Sequence, residues 1–237
     1  MVNSSPIDDA LEGYLSVLKE LFNHMGCPDR EIAMSKYMRN QFSFFGVPSP
    51  QRKEIQSIWV KSLPKDWNQT TKWKMVHLLW NQPQRELHYV AIDWMNTWKA
   101  SSIEPQDIHH FTRILTTHSW WDSIDGLAPG IIGKFIQENP KEGYQWIAQW
   151  RKNSDFWLRR TCIIFQLKFR ENVDFELLKS IIRENVHDKE FFIQKAIGWS
   201  LRQHARCDAQ SVVNFVHTEN IIGLAKREAL KHINHLG

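Results

Sequence analysis

The seven residues from Ser119 to Asp125, "SWWDSID", set two carboxylates beside two adjacent tryptophans in an otherwise apolar helical stretch. A carboxylate against bulky rings is partly desolvated, and that is unfavourable unless a cation partners it. The cation can be a side chain, or it can be a substrate. At about 100° per residue, Trp121 and Asp125 fall on one helix face as i and i+4 neighbours, while Asp122 points away from both. A ring face and an anion on one side of a helix attract positive charge, so the chemistry they suit is stabilisation of a cation. Trp120 shares a different, apolar phase with Ile124, Leu127 and Ile131 and reads as core. An ion pair from Asp125 to Arg160 explains the same carboxylate equally well.

A second set of residues suits phosphate. Five segments align in register: "ELHYVAI" from Glu86, "WDSIDGL" from Trp121, "WLRRTCI" from Trp157, "FIQKAIG" from Phe192 and "LAKREAL" from Leu224. Their starts are 35, 36, 35 and 32 residues apart. Such a period fits one helical hairpin per unit in a tandem array. Helical phasing then groups Trp157, Arg160, Ile164 and Lys168 on one side of the third segment. The fourth gives Phe192, Lys195, Trp199 and Arg202, and the fifth gives Arg227, Lys231 and His235. Arg160, Lys195 and Arg227 therefore place a cation in one column on three successive units. A row of cations interleaved with rings can follow a phosphate backbone and stack on bases or sugars. A solvated basic face with rings packed between repeats is the plainer account.

The elements that must position these residues are helices. Helical periodicity runs nearly throughout, and no window alternates convincingly as a strand. Breaks fall at residues 26–29, 46–50, 62–67, 81–84, 103–107, 138–143 and 205–208, mostly at Pro, Gly or Asp. The expected fold is all-α, a single-domain solenoid of stacked helical pairs with a concave face.

Composition narrows the classes. The chain has 237 residues, 42% of them apolar, enough for a substantial core, with a formal net charge of +4 and cationic runs such as "WLRR", "LKFR" and "LAKREALKH" in the C-terminal half. Twelve tryptophans exceed what a core ordinarily requires. Three widely spaced cysteines, Cys27, Cys162 and Cys207, argue against a disulfide framework and for a reducing compartment. The N-terminus lacks the pattern of a signal peptide, and no run is long enough to span a membrane, so a cytoplasmic protein is expected. Phosphate-binding glycine motifs and a nucleophilic serine elbow are absent from the sequence. The pairs His109–His110 and His232–His235 have no third ligand at a suitable spacing, so no metal and no cofactor is expected.

Several blocks, in order, resemble one family: "KYMRNQFSFFGV", "HSWWDSID", "WLRRTCIIFQLKF", "KEFFIQKAIGWSLR" and "KREALKHI". Over about residues 15 to 235 the chain is similar to the AlkD-type alkylpurine DNA glycosylases, which are built from HEAT-like helical repeats. The resemblance implies a HEAT-like glycosylase domain over residues 14–237, preceded by an extension over 1–13. It implies that Asp125 is the catalytic aspartate and that Trp121 and Trp199 are the active-site tryptophans. It puts Arg160 on the DNA backbone near the lesion, Tyr37 at the same cleft, and Ser49 and Lys53 at phosphates. Lys168, Lys195, Arg202 and Arg227 complete the expected DNA-binding set. The implied partner is double-stranded DNA carrying N3- or N7-alkylated purines, met by a monomer that acts without a membrane. Gly126, directly after the aspartate, departs from the family pattern and would loosen that turn. Some branches lack the aspartate and bind branched DNA without cleaving it; this sequence retains it. Noncatalytic binding of damaged or branched DNA is the alternative function, and a scaffold for protein partners is a third.

Overall fold

The computed structural model describes residues 6–231 and 233. Among the described residues there is no strand; a lone bridge joins Ser43 to Gln84. His232 and His235 lie outside the described residues. The chain divides into two compact units, Met1–Thr97 and Trp98–Gly237.

The first unit holds α1 (Pro6–Met25), α2 (Pro28–Tyr37), α3 (Ser49–Ser62), α4 (Gln69–Trp80) and α5 (Arg85–Met95). Apolar residues at helical spacing fix α1, where Leu11, Leu15, Leu18 and Phe22 are all buried. Residues 6–13 thus form the opening turns of α1 and contribute Leu11 to the core. Helix α2 opens on Pro28 and buries no residue. The Asn68 side chain accepts from the Thr71 N–H at 2.8 Å and so caps α4. Helix α5 is buried nearly all round, polar residues included.

The second unit holds α6 (Ile108–Thr116), α7 (Trp121–Leu127), α8 (Gly133–Glu138), α9 (Pro140–Trp150), α10 (Phe156–Ile164), α11 (Phe175–Asn185), α12 (Phe191–His204), α13 (Ala209–Thr218) and α14 (Gly223–Ala229). Helices α5, α7, α10, α12 and α14 begin near the starts of the five aligned segments, so the sequence interval marks a recurring helix. Carboxylate caps open four of the helices in this unit. Asp155 accepts from the Trp157 N–H, Asp174 from Leu177, Glu190 from Phe192 and Asp208 from Ser211. A cap of this kind contributes about 1 kcal/mol.

Three features depart from the expected pattern. Breaks at residues 151–155, 165–174, 186–190 and 219–222 carry no proline, and the sequence reading passed over them. Helix α10 ends at Ile164, so Lys168 sits in the following turn and not on the helical face assigned to it. Between α7 and α8 lies a π turn over Ala128–Ile132. Pro129 has no N–H to give the Asp125 carbonyl four residues back, so the α-helix cannot continue in register.

Most of the surplus tryptophan is core. Eight of the twelve are buried, among them Trp59, Trp80, Trp146 and Trp150. Trp121 and Trp199 are half-buried. Between α10 and α12, Arg159 ties the loops that precede them. It donates to the Asn153 and Ser154 carbonyls, to Asn185, and to Asp188 at 2.7 Å.

Candidate active site

Three helices of the second unit build the site. Extended backbone at Trp120 ends the preceding loop, and Ser123 closes the first turn of α7 by donating to the Trp120 carbonyl at 2.9 Å. This directs the Trp120 ring toward α10 and α12, where its centroid lies 6.0 Å from Trp157 and 5.3 Å from Phe192. Trp157 and Phe192 are 5.0 Å apart, completing a three-ring cluster. The Trp120 indole N–H is buried in it with no hydrogen-bond partner among the described residues.

Beside these rings Asp125 on α7 meets Arg160 on α10. The guanidinium donates through Nη2 at 2.7 Å and Nε at 3.1 Å, both to Oδ1 of the carboxylate. Its remaining arm, Nη1, donates to the Phe192 carbonyl on α12. Arg160 is thereby fully engaged and buried, with its side chain 4% exposed against 20% for Asp125. Oδ2 of Asp125 receives no hydrogen bond among the described residues. Burial pushes the Asp125 carboxyl above the ordinary carboxylate range, and the Arg160 charge and hydrogen bonds pull it back.

The column of free cations expected from the helical phasing is corrected here. Helix α10 is buried on both faces, so Arg160 turns inward to Asp125 and Ile164 is core. On α12, Lys195 donates to Glu228 Oε1 at 3.1 Å, and Arg202 donates to Glu228 Oε2 and, at 3.0 Å, to its carbonyl. Glu228, on α14, is held down to about 2 by Arg202 first and Lys195 second. Arg227 and Lys168 are exposed and have no acidic partner among the described residues. The expected basic residues are therefore of two kinds, paired and free. Sequence phasing could not separate them, because each partner comes from another segment.

The other candidates fall as follows. Trp121 opens α7 one turn before Asp125. Trp199 lies two turns along α12 from Phe192, on the same side of the helix, and its ring contacts no other ring among the described residues. In the first unit, Tyr37 ends α2 and is 70% exposed. Ser49 and Lys53 are exposed one turn apart at the start of α3. What sequence reasoning missed there is Glu86. Its fully buried carboxylate accepts from the backbone N–H groups of Phe45, Gly46 and Val47 at 3.0–3.2 Å. Burial raises this carboxyl and the amides oppose the rise. Gly46 has φ +78°, and a Cβ there would stand 2.3 Å from the Cys27 carbonyl oxygen, so the loop accepts only glycine. This pins the segment that leads into Ser49 and Lys53.

Fold and site together define an all-α protein in which an aromatic cluster adjoins a carboxylate with one oxygen committed to arginine. The chain belongs to the DNA alkylation repair enzyme family, whose model matches residues 18–233. It is similar in structure to a predicted DNA alkylation repair enzyme from Enterococcus faecalis, with a TM-score of 0.83 and 29% identity over 89% of this chain and 98% of that one. No curated protein matches the sequence significantly.

Proposed function

We propose that this protein is a monofunctional DNA glycosylase that hydrolyses the N-glycosidic bond of N3- and N7-alkylated purines in duplex DNA. The observation that carries this reading is the Asp125 carboxylate. It is half-buried, one helical turn from Trp121, and bonded to Arg160 through Oδ1 alone. An alkylated purine of this type bears a positive charge and is already a good leaving group, so no general acid is needed at its ring. The C1′–N bond breaks with its electron pair passing to the base, which becomes neutral, while positive charge builds on the sugar. Oδ2 then faces that charge as a fixed anion and orients the water that adds to C1′. The ring faces of Trp121 and Trp199 attract the same cation. Arg160 acts as a positioning residue, fixing the carboxylate plane rather than touching substrate.

In this reading Tyr37, Ser49, Lys53, Lys168 and Arg227 contact DNA directly, and Lys195 and Arg202 do so when released from Glu228. The protein acts as a monomer in the cytoplasm, associating with the nucleoid through DNA, and requires no cofactor. Noncatalytic binding of damaged or branched DNA is favoured by one observation, the neutralisation of Asp125 by Arg160. Release of methylated purines from alkylated duplex DNA by the wild type and by Asp125→Asn decides between the two. Release by the wild type and its loss in the variant establish the enzyme. No release by either leaves the binder.

A further inference from the structure

On the seam between α12 and α14, one carboxylate holds two of the cations expected to meet DNA. Glu228 takes Lys195 on Oε1 and Arg202 on Oε2, with side-chain exposures of 40% for Lys195, 23% for Arg202 and 15% for the carboxylate. The helices are in intimate contact at this point. A Cβ on Gly198 would lie 2.4 Å from the Glu228 Cβ and 2.9 Å from the Ala225 carbonyl oxygen, so α12 approaches α14 through a glycine. Close packing fixes Glu228, whereas Lys195 sits at the open end of a long, flexible stem.

We propose that Glu228 is an exchangeable counter-anion that tempers DNA affinity, occupying Lys195 and Arg202 until backbone phosphates displace it. This inference rests on the DNA-binding reading above. An anion beside a phosphate-binding surface lowers the local positive potential and is itself repelled by the duplex. Each cation that Glu228 retains is one that releases no counterion on binding. Lys195, the more exposed of the two, changes partner most readily, since a part-exposed ion pair is individually weak. Arg202 also bonds the Glu228 carbonyl and keeps that anchor after the exchange. The carboxylate stays ionised throughout the neutral range, so the two cations are occupied whenever DNA is absent.

The test is equilibrium binding of an undamaged duplex over a salt series by the wild type, Glu228→Gln and the double variant Glu228→Gln/Lys195→Ala. Glutamine keeps the shape and an accepting oxygen but removes the charge. Glu228→Gln is expected to bind more tightly, on the order of tenfold at low salt, with the slope of log K against log salt steeper by roughly 0.9 for each cation freed. Adding Lys195→Ala should take back about 0.9 of that slope. An unchanged or shallower slope in a folded Glu228→Gln protein, whatever its melting temperature, makes the cluster a helix clasp and overturns the proposal. A wild type with no salt-dependent affinity for DNA removes the DNA-binding reading and this inference with it. Should Glu228→Gln fail to fold, Lys195→Ala alone decides. Because phosphate takes Lys195 over on binding, Lys195→Ala should reduce the slope by up to roughly 0.9, and a slope equal to that of the wild type shows that Glu228 never yields Lys195 and overturns the proposal.

Discussion

Arg160 bonds Asp125 twice on one oxygen, Oδ1, and the other oxygen has no donor among the described residues. That asymmetry is compatible with the proposed role, because the ion pair fixes the carboxylate's orientation while Oδ2 is left without a donor among the described residues. The two accounts of Asp125 open at the sequence level are therefore compatible. An ion pair exists, and it leaves Oδ2 without a donor among the described residues.

Asp125→Asn separates charge from shape. If the anion stabilises a cationic sugar, base release should fall on the order of 10²–10³-fold. Stability should fall too, by up to about 3 kcal/mol, because buried Arg160 loses its counter-charge. The measurement is single-turnover release per folded molecule, well below both melting temperatures. Wild-type release at that comparison removes Asp125 from catalysis even if the melting temperature drops.

Arg160→Ala tests the positioning role through pH. Burial raises the Asp125 carboxyl and Arg160 lowers it, so deleting the guanidinium raises it further. If excision requires the anion, it is lost as pH falls. The acid limb of the single-turnover profile should therefore move to higher pH in the variant. A limb that stays put, with only a uniform loss of rate, would show that Arg160 does not tune the carboxylate.

The sequence showed the class of fold and drew attention to one carboxylate, for separable physical reasons. Helices were legible because 3.6-residue periodicity and proline breaks are local properties. Asp125 stood out because a charge beside Trp120 and Trp121 is locally anomalous. What stayed hidden depends on partners remote in sequence. Arg160 was open to two assignments, an exposed column and an ion pair with Asp125, and the choice between them rests on α10 being enclosed on both sides. Glu228 lay unnoticed inside "AKREA", although it neutralises two candidate cations from α12. Glu86 went unremarked because nothing nearby in sequence announces three backbone amides converging on it.

Lys53 and Arg160 should now behave differently toward salt. Lys53 is exposed at the start of α3, so Lys53→Ala should weaken damaged and undamaged duplexes alike and reduce the slope of log K against log salt by roughly 0.9, with little change in melting temperature. Arg160→Ala should leave that slope unchanged, since its guanidinium is fully used within the protein. Titrations of both variants over one salt series check the pair. A slope reduced by Arg160→Ala would mean that the ion pair opens to engage a phosphate.

The final prediction contrasts two tryptophans. Trp157 is buried within the three-ring cluster, so Trp157→Ala removes packing and should destabilise by about 3–5 kcal/mol. Trp199 is half-buried and touches no other ring among the described residues, so its truncation should cost the fold much less. If its indole face attracts the charge that builds on the sugar, Trp199→Ala should slow excision by roughly tenfold, the scale of one cation–π contact in a desolvated site, while duplex affinity changes little. The decisive comparison takes melting temperature, undamaged-duplex affinity and single-turnover release from the same preparation of each variant. Excision and affinity falling together in Trp199→Ala would assign the ring to binding. A collapse in its melting temperature as large as that of Trp157→Ala would assign it to the core.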